Sequence, residues 1–311
     1  MRQSQQSIRM PQSGVAIVLA MSVVALAALG ATAILVSQST WARQAELAAG
    51  RAQAQAVIHA GLDWARAVLS DDRRLGEADH LGEPWALRLP AIPVENGSMA
   101  GRLEDQQGRF NVNNLQKNGK VDPAQLAHFR RLLSILELPP ALADALADWV
   151  DADSVPQPQD GAEDSAYLSL GTPYLAANRP LLDVAELALV RGFDRRVRDR
   201  LRPFLSALPR FTAINVNTAP AEVLAAIVEG LPLDAARTIA GRRDATYFRS
   251  PQEFFAKLPR GLTALSDDVS VGSDFFVATM EVSVGGAQAR GSALLARGKT
   301  GWPAVVWRKL P

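Results

Sequence analysis

The chain has 311 residues, no cysteine and three histidines, and its 33 basic and 32 acidic side chains leave a formal net charge of +1. The absence of cysteine excludes disulfides, thiolate metal sites and cysteine nucleophiles. A near-neutral chain has no global attraction for nucleic acid, and His59, His80 and His128 do not lie near a plausible nucleophile in the sequence. The composition therefore argues against an enzyme with a histidine-based catalytic centre.

The first predicted element is a helix that begins with an apolar run over residues 15–36. Its 22 uncharged, mostly apolar positions would extend about 33 Å as an α-helix, close to the roughly 30 Å of a bilayer core. The run is longer than the roughly 7–15 apolar residues of a secretory signal, and it continues without proline into a segment rich in Ala, Gln, Arg and Glu. We therefore predict one continuous helix over about 15–69, with a first half in lipid and an amphipathic second half packed on a soluble domain.

Taken alone, this run also fits a plain single-pass membrane anchor. A short polar leader, Gly14 directly before the apolar run and a long unbroken helix together resemble type IV pilins and the pseudopilins of type II secretion. The resemblance implies that a prepilin peptidase cuts between Gly14 and Val15 and that the new terminus is methylated. Most members of that class carry Glu at the fifth mature position, where this chain has Leu19. Among pseudopilins, this omission is typical of the K-type minor pseudopilin at the fibre tip.

Strand patterns occur early and late in the soluble part. Apolar and polar residues alternate within 98–115, and two further alternating runs within 274–296 are joined at Gly285 and Gly286, which predicts a hairpin. A third apolar stretch, residues 304–307, follows Pro303. Because helical patterns fill the chain between these strands, we predict a small sheet packed on the long helix and an all-helical domain inserted in one of its loops.

The insertion contains four helical patterns, at 122–137, 139–150, 181–190 and 250–258. It also contains an internal echo, because FNVNNL at 110–115 resembles INVNTA at 214–219. Each copy is followed by an apolar helix and then by a Leu-Pro step. The echo predicts two related helical units.

The second unit resembles helix-hairpin-helix modules that hold DNA backbones. This resemblance gives the alternative function, a membrane-tethered DNA-binding protein for DNA uptake. Such modules use the backbone N–H groups of a glycine-bearing hairpin to bind phosphate. Here the hairpin reads EGLPLD, in which Pro232 removes one donor and Asp234 adds a repulsive charge. Binding to nucleic acid is therefore not expected.

An acidic loop is the strongest chemical signal of the insertion. Residues 132–178 hold eight acids and no Lys or Arg, and seven of the acids fall within 144–164. An Asp-x-Asp pair followed by a Pro/Gln/Gly loop and a Glu-Asp pair supplies hard oxygen ligands without histidine, which suits calcium better than zinc or magnesium. A solvated acidic loop is the alternative. A glycosidase carboxylate pair is disfavoured because no aromatic-rich sugar cleft accompanies it.

Four segments together resemble the K-type minor pseudopilin of type II secretion: LEDQQGRFNVNNL, ALADWVDAD, DGAEDSAY and INVNTAPAEVLAA. The resemblance covers nearly the whole chain in the same order. It implies an α+β fold with a pilin-like long N-terminal helix on a small antiparallel sheet and a large all-helical insertion of the SAM or helix-hairpin-helix type. It also implies that the acidic loop binds one or two calcium ions. The matched ligand candidates are Asp151, Asp153, Asp160, Glu163 and Asp164.

The expected domains follow from these segments: a leader (1–14), a transmembrane half-helix (15–36), an amphipathic half-helix (37–70), a pilin-like sheet region (71–113 and 271–311) and a helical insertion (114–270). Arg2 and Arg9 lie on the short side of the apolar run, which the positive-inside tendency keeps cytoplasmic. We therefore expect a single-pass protein of the bacterial inner membrane whose globular part is periplasmic. The resemblance implies a non-enzymatic subunit that assembles with the I-, J- and H-type minor pseudopilins after cleavage by prepilin peptidase. These subunits initiate the fibre that supports export of folded proteins.

Overall fold

The computed structural model describes residues 13–298 and 301–310, so most of the predicted leader, including Arg2 and Arg9, lies outside the described residues. Helix α1 spans Ser13–Leu75 without interruption. The prediction of one continuous helix is confirmed. The helix runs past residue 69 because no glycine or proline occurs between there and Gly76, and an Asp71–Arg74 ion pair of 3.2 Å spans its last turn.

The remaining elements follow in chain order. The helices are Pro123–Ile135 (α2), Leu142–Val150 (α3), Asp164–Leu168 (α4), Arg195–Leu201 (α5), Ala221–Ile227 (α6), Leu233–Ala245 (α7) and Pro251–Phe255 (α8), with 3-10 turns at Pro84–Ala86, Val112–Leu115, Val184–Leu189 and Ser266–Asp268. The strands are Leu89–Val94 (β1), Gly97–Asp105 (β2), Phe110–Asn111 (β3), Gln116–Lys117 (β4), Lys120–Val121 (β5), Leu205–Ser206 (β6), Ile214–Asn215 (β7), Val269–Ser270 (β8), Phe275–Val284 (β9), Ala287–Ala296 (β10) and Ala304–Lys309 (β11).

Helix α1 has two halves with different surroundings. Residues 14–49 are exposed along their whole length, whereas the second half buries one face. The buried positions recur every three or four residues, which is the spacing of one helix face: Ala54, Ile58, Leu62, Ala65 and Leu69. The predicted amphipathic half is therefore confirmed.

That face packs on a five-stranded antiparallel sheet with the strand order β1-β2-β9-β10-β11. The predicted hairpin is present, since β9 and β10 are joined by Gly285 and Gly286, both with positive φ. The sequence pattern did not predict β1, because Pro90 and Pro93 interrupt its alternation. Proline is tolerated there because β1 is an edge strand.

The long strands run along α1, and contacts at two points show their direction. A Cβ at Gly50 would lie 3.5 Å from the carbonyl oxygen of Gly285, and Asp72 Oδ2 accepts a hydrogen bond of 2.7 Å from Arg297 Nη1. The β9–β10 turn therefore lies beside the middle of α1. The opposite end of the sheet, where β2 ends at Asp105 and β9 begins at Phe275, lies beside the carboxyl end of α1.

The helical insertion occupies the chain between those two strand ends, and α2–α8 lie within it. It has its own apolar core, separate from the core between α1 and the sheet; large side chains at its centre include Phe129, Leu132, Trp149, Tyr167 and Leu224. The predicted insertion is present and mainly helical, but it is not all-helical, because it also contains three short two-stranded pairs. The domain boundaries stay a prediction.

The two copies of the echo share a parallel strand pairing and an asparagine contact. Strands β3 and β7 each pair in parallel with a second short strand, β6 and β8 respectively. Asn113 exchanges two hydrogen bonds of 2.8 Å with the backbone of Leu181, and Asn217 exchanges bonds of 2.9 and 2.8 Å with the backbone of Phe248. The repeated Asn thus closes a long loop onto each unit, which supports the prediction of two related units.

A buried polar network joins the insertion to the sheet and to α1. Arg297, just after β10, contacts Asp72 at 2.7 Å and also pairs with Asp79 in the loop after α1. At the end of β2, Asp105 accepts hydrogen bonds from Nδ2 of Asn215 in the insertion (3.1 Å) and from Ser273 Oγ (2.7 Å). Every one of these side chains is buried, so the network fixes how the insertion sits on the pilin-like part.

We expect Arg297→Met to lower the free energy of unfolding by about 3–5 kcal/mol, because it leaves Asp72 and Asp79 buried without their cation. The matched control is Arg290→Met in β10, where the ion pair with Glu281 is 3.7 Å long and exposed, and where we expect a change below about 1 kcal/mol. Denaturant unfolding of the full-length chain measures both values. Equal losses of unfolding free energy in the two variants would show that the buried network does not stabilise the fold more than an exposed ion pair does.

Candidate functional site

The acidic loop begins where helix α3 ends. Asp148, in the last turn of α3, is buried and accepts hydrogen bonds from two backbone N–H groups of the loop, Gln157 at 3.1 Å and Ala162 at 2.6 Å. These bonds fold the loop back onto the end of α3. As a result, Glu163, just before α4, comes to lie beside Asp151, the residue that follows α3.

The structure brings three of the five predicted ligands together. Asp151, Asp153 and Glu163 each offer a carboxylate oxygen, and these oxygens lie within 4.8 Å of one another. Asp151 is 1% exposed and Glu163 is 5% exposed, whereas Asp153 faces solvent. The three carboxylates thus form a half-buried group with one open side, which we call the acidic site.

The two buried carboxylates, Asp151 and Glu163, have no ion-pair partner among the described residues. One oxygen of Asp151 and both oxygens of Glu163 are buried without a hydrogen-bond partner. Burial, together with the neighbouring carboxylates of Asp148 and Asp153, raises the pKa of Asp151 and of Glu163 to about 7. Ionising a buried carboxylate that has no hydrogen-bond partner destabilises the fold unless a cation binds the carboxylate. The unpartnered oxygens therefore fit a bound divalent cation.

The other two predicted ligands lie outside this group. Asp164 uses Oδ1 to accept a hydrogen bond of 2.9 Å from the backbone of Ala176. The loop at Asp160 is held through its carbonyl oxygen, which accepts a bond of 2.6 Å from Arg191. Their roles as metal ligands stay a prediction. Asp148 was missed as an organising residue, although its position one helical turn before Asp151 places it on the same face.

In a second acidic group of this chain, an arginine neutralises the negative charge. Asp72, Asp79 and Glu83 also lie within 4.8 Å of one another. There, however, Arg297 supplies an internal cation to both aspartates. The acidic site has no such guanidinium among its described ion pairs. This contrast separates a site that suits a metal ion from a structural salt bridge.

Gly161 allows the loop to close over the acidic site. A Cβ at this position would collide with the backbone N of Gln157 and with Asp148 Oδ2, and it would lie 2.7 Å from the carbonyl oxygen of Gln157. Any side chain at residue 161 must therefore displace the loop.

We expect Gly161→Ala to destabilise the protein by about 1–3 kcal/mol, because a methyl group there overpacks a closed loop. The same change should weaken calcium binding. Gly171→Ala is the matched control, since a Cβ there meets no atom within 4 Å. Thermal unfolding and calcium titration of both variants are the measurements, and a Gly161→Ala protein that matches the control would contradict the closed loop.

The exposed half of α1 contains the predicted processing and assembly residues. Gly14 and Val15 lie in the first turn, and Leu19 is 60% exposed in an apolar surface without a carboxylate. Hydroxyl groups of this half are satisfied within the helix, since Ser22 and Thr32 donate to carbonyls four residues earlier at 2.9 and 2.8 Å. Length and composition make α1 the one candidate membrane span in the described part of the chain.

Each of the three histidines contacts another side chain of the fold. His80 stacks on Tyr247 with ring centroids 3.8 Å apart, and His59 contacts Arg308 at 3.3 Å. His128 is buried beside Asp268, and burial lowers the pKa of His128 to about 4, so the ring is neutral at physiological pH.

A long N-terminal helix, exposed and apolar over its first half and packed on an antiparallel sheet over its second, defines a pilin-like protein with a helical insertion. Two family models, both described as type II secretion system (T2SS), protein K, match residues 108–210 and 214–272. The chain belongs to this family.

Curated relatives agree with this assignment. The chain is 37% identical to type II secretion system protein K of Pseudomonas aeruginosa, over 97% of this chain and 94% of the relative. It is 32% identical to type II secretion system protein K of Klebsiella pneumoniae, over 91% of this chain and 92% of the relative. A solved chain from the crystal structure of the GspK-GspI-GspJ complex of enterotoxigenic Escherichia coli matches with a TM-score of 0.68 at 24% identity, covering 88% of this chain and 99% of that chain.

The structural match confirms the α+β fold that the sequence predicted. Family membership makes the chain a minor pseudopilin, a structural component of type II secretion. The alternative of a DNA-binding protein receives no support from these relatives.

Proposed function

We propose that this minor pseudopilin caps the tip of the type II secretion pseudopilus and does not act as an enzyme. The observation that carries the proposal is the position of the insertion, which leaves the sheet between β2 and β9 at the carboxyl end of α1. Residues 37–75 of α1 correspond to about 58 Å of helix beyond the apolar run. The insertion therefore lies at the end of the molecule far from the membrane, where it blocks the stacking of another subunit above it.

The residue at position 19 also supports a place for this subunit at the fibre tip. In fibre subunits of this class, a Glu at the fifth mature position is held to pair with the terminal amine of a neighbour. Leu19 is exposed on α1 and has no carboxylate to offer. A subunit without this carboxylate is suited to the end of the fibre, where one of the two neighbours is missing.

The partners of the proposed tip complex are the I-, J- and H-type minor pseudopilins. The complex of the Escherichia coli relative contains GspK, GspI and GspJ. In this chain, the apolar surface of residues 14–36 is exposed and is available to pack against partner helices in lipid. The tip complex would then prime the fibre that supports export of folded proteins across the outer membrane.

We further propose that the chain is a single-pass protein of the bacterial inner membrane with its globular part in the periplasm. Prepilin peptidase would cut between Gly14 and Val15, and the new terminus would be methylated. Trp41, 76% exposed and shortly beyond the apolar run, is placed at the membrane–water interface by this arrangement. The second half of α1 and the sheet then stand above the membrane.

The acidic site is proposed to bind calcium. Asp151, Asp153 and Glu163 would hold the ion, and Asp160 and Asp164 are the remaining candidates for ligands of the same ion or of a second one. The chemistry that a calcium ion supplies when bound is charge neutralisation and cross-linking of the loop. Asp148 positions the loop through backbone hydrogen bonds, and Gly161 lets it close. The site would thereby fix α3 relative to α4.

The tip position is tested by Leu19→Glu with Leu19→Met as the control. At the tip the new carboxylate has no partner amine, so it carries the cost of a charge in lipid, which reaches about 2.5–3.5 kcal/mol at the centre of a membrane helix. We expect less of the variant to co-purify with the I- and J-type subunits and less exoprotein to be secreted, while Leu19→Met matches the unchanged chain. Recovery of Leu19→Glu at the unchanged level and in several copies per fibre would contradict the tip position.

A further inference from the structure

A cavity of about 600 Å³ lies in the second helical unit, between α7 and α8. Its apolar wall includes Ile239 and Phe248, and its basic wall is formed by Arg242, Arg243 and Lys257. This volume is within the usual range for ligand sites, and the combination of apolar and charged walls is typical of them. The cavity is remote in sequence from the acidic site, and the role proposed above does not use it.

Arg243 is the unusual residue of this cavity. It is 7% exposed, and its Nη1 donates to the carbonyl oxygen of Val216, but its Nε is buried without a hydrogen-bond partner among the described residues. Among the described residues, one carboxylate forms an ion pair with Arg243. This is Asp244, whose Oδ1 lies 3.9 Å from Arg243 Nε and whose side chain is exposed. Burial lowers the pKa of Arg243 to about 10.

Arg297 shows how this chain compensates a buried guanidinium elsewhere, since it pairs closely with Asp72 and Asp79. A buried cation without such partners is costly, and an anion from outside the chain would remove that cost. The positive charge of Arg243 in the cavity wall is thus not balanced by a close carboxylate in the described part of the chain.

The neighbouring side chains restrict the kind of anion. Tyr247, which also lines the cavity, is held by its stack on His80, so this wall is fixed. Glu253 lines the cavity as well, and Asp244 lies beside Arg243, so a dense polyanion such as nucleic acid would be repelled. A single carboxylate next to an apolar side chain matches both the basic and the apolar walls.

We propose that the cavity between α7 and α8 binds an acidic peptide segment of a partner protein. One carboxylate of the segment pairs with Arg243 and Arg242, and an adjacent apolar side chain packs on Ile239 and Phe248. Lys257 contributes to the positive potential at the mouth. The insertion thereby has a docking site for a second protein in addition to its proposed bulk at the fibre tip.

Saturation-transfer NMR with the full-length chain in detergent tests this proposal. The probe is the peptide acetyl-Ser-Glu-Leu-Glu-Ser-amide, its neutral counterpart has Gln in place of both Glu residues, and a detergent sample without protein is the blank. We expect saturable binding of the acidic peptide that weakens with salt, and about tenfold weaker binding of the neutral peptide.

The variants leave Arg243 intact, because its bond to Val216 supports the fold. Arg242→Gln and Lys257→Gln should each weaken binding of the acidic peptide severalfold, whereas Arg237→Gln should not. Arg237 is an exposed arginine of α7 whose ion pair with Asp234 measures 3.1 Å, and it does not line the cavity. Equal binding of the two peptides, binding that survives both cavity substitutions, or displacement of the peptide by a short DNA oligonucleotide at lower concentration would each overturn the proposal.

Discussion

Removal of calcium with EDTA is expected to lower the midpoint of thermal unfolding of the full-length chain, and added calcium is expected to restore it. Two carboxylates of the acidic site, Asp151 and Glu163, are buried with unpartnered oxygens, so the fold without the ion carries their cost. An ion present at about 100 times its Kd contributes about 2.7 kcal/mol, which corresponds to a shift of about 4 °C for a chain of 311 residues.

This response has a defined pH dependence. In the metal-free fold the pKa of Asp151 and of Glu163 is about 7, compared with ordinary values of 3.8 and 4.5. Because these pKa values are raised by folding, their contribution to stability is fully present below about pH 4 and is lost as the pH rises through about 7. Calcium binds the ionised carboxylates, so the gain in stability on adding calcium should increase from about pH 5 to about pH 8.

Isosteric variants identify the ligands. Asp151→Asn and Glu163→Gln should each abolish most of the response to calcium, and both should make the metal-free protein more stable at about pH 8, where the ionised carboxylates are most costly. Asp199→Asn is the control, because Asp199 is an exposed acid of the same insertion in an ion pair of 3.6 Å with Arg195. An unchanged calcium response in both ligand variants would place the ion elsewhere in the chain.

Gly14→Val is expected to block cleavage by prepilin peptidase almost completely, and with it the entry of the chain into the tip complex. The prediction follows from the processing site that the leader and the apolar run indicate. A Cβ at residue 14 meets no atom of the described chain within 4 Å, so the substitution leaves the fold unchanged and its effect is specific to processing.

Gly30→Val provides the matched control for this experiment. Gly30 lies in the same apolar half of α1, and a Cβ there would also meet no atom within 4 Å. The chain with Gly30→Val should therefore still lose residues 1–14. Mass measurement of both variants, expressed with and without the peptidase, separates the two cases. Cleavage of Gly14→Val at the unchanged rate would show that the cut lies elsewhere.

The elements with strong local signals were predictable from the sequence. Helix α1 and the β9–β10 hairpin follow from a long run without helix breakers and from two alternating runs around Gly285 and Gly286. The segment at 181–190 was predicted as a helix, but it forms a 3-10 turn, Val184–Leu189. Its start is fixed by a capping box between Asp183 and Glu186, and Gly192 with positive φ follows it.

The candidate site was predictable in composition but not in geometry. Charge crowding identified the acidic loop, whereas the grouping of Asp151 with Glu163 depends on the backbone bonds that Asp148 accepts from residues 9 and 14 positions away. The junction around Arg297 depends on still longer separations, since its partner Asp72 is 225 residues away. Such pairings arise from the tertiary fold, and periodicity along the chain carries no signal for them.

The proposed role requires that the chain is processed after Gly14 and occupies a single position at the tip. Both requirements can be tested together by native mass spectrometry of the complex purified after co-expression of the chain with its I- and J-type partners and prepilin peptidase. We expect one copy of the chain per complex, beginning at a methylated Val15. A complex that contains several copies of the chain, that retains residues 1–14, or that forms without the chain would contradict the proposed role.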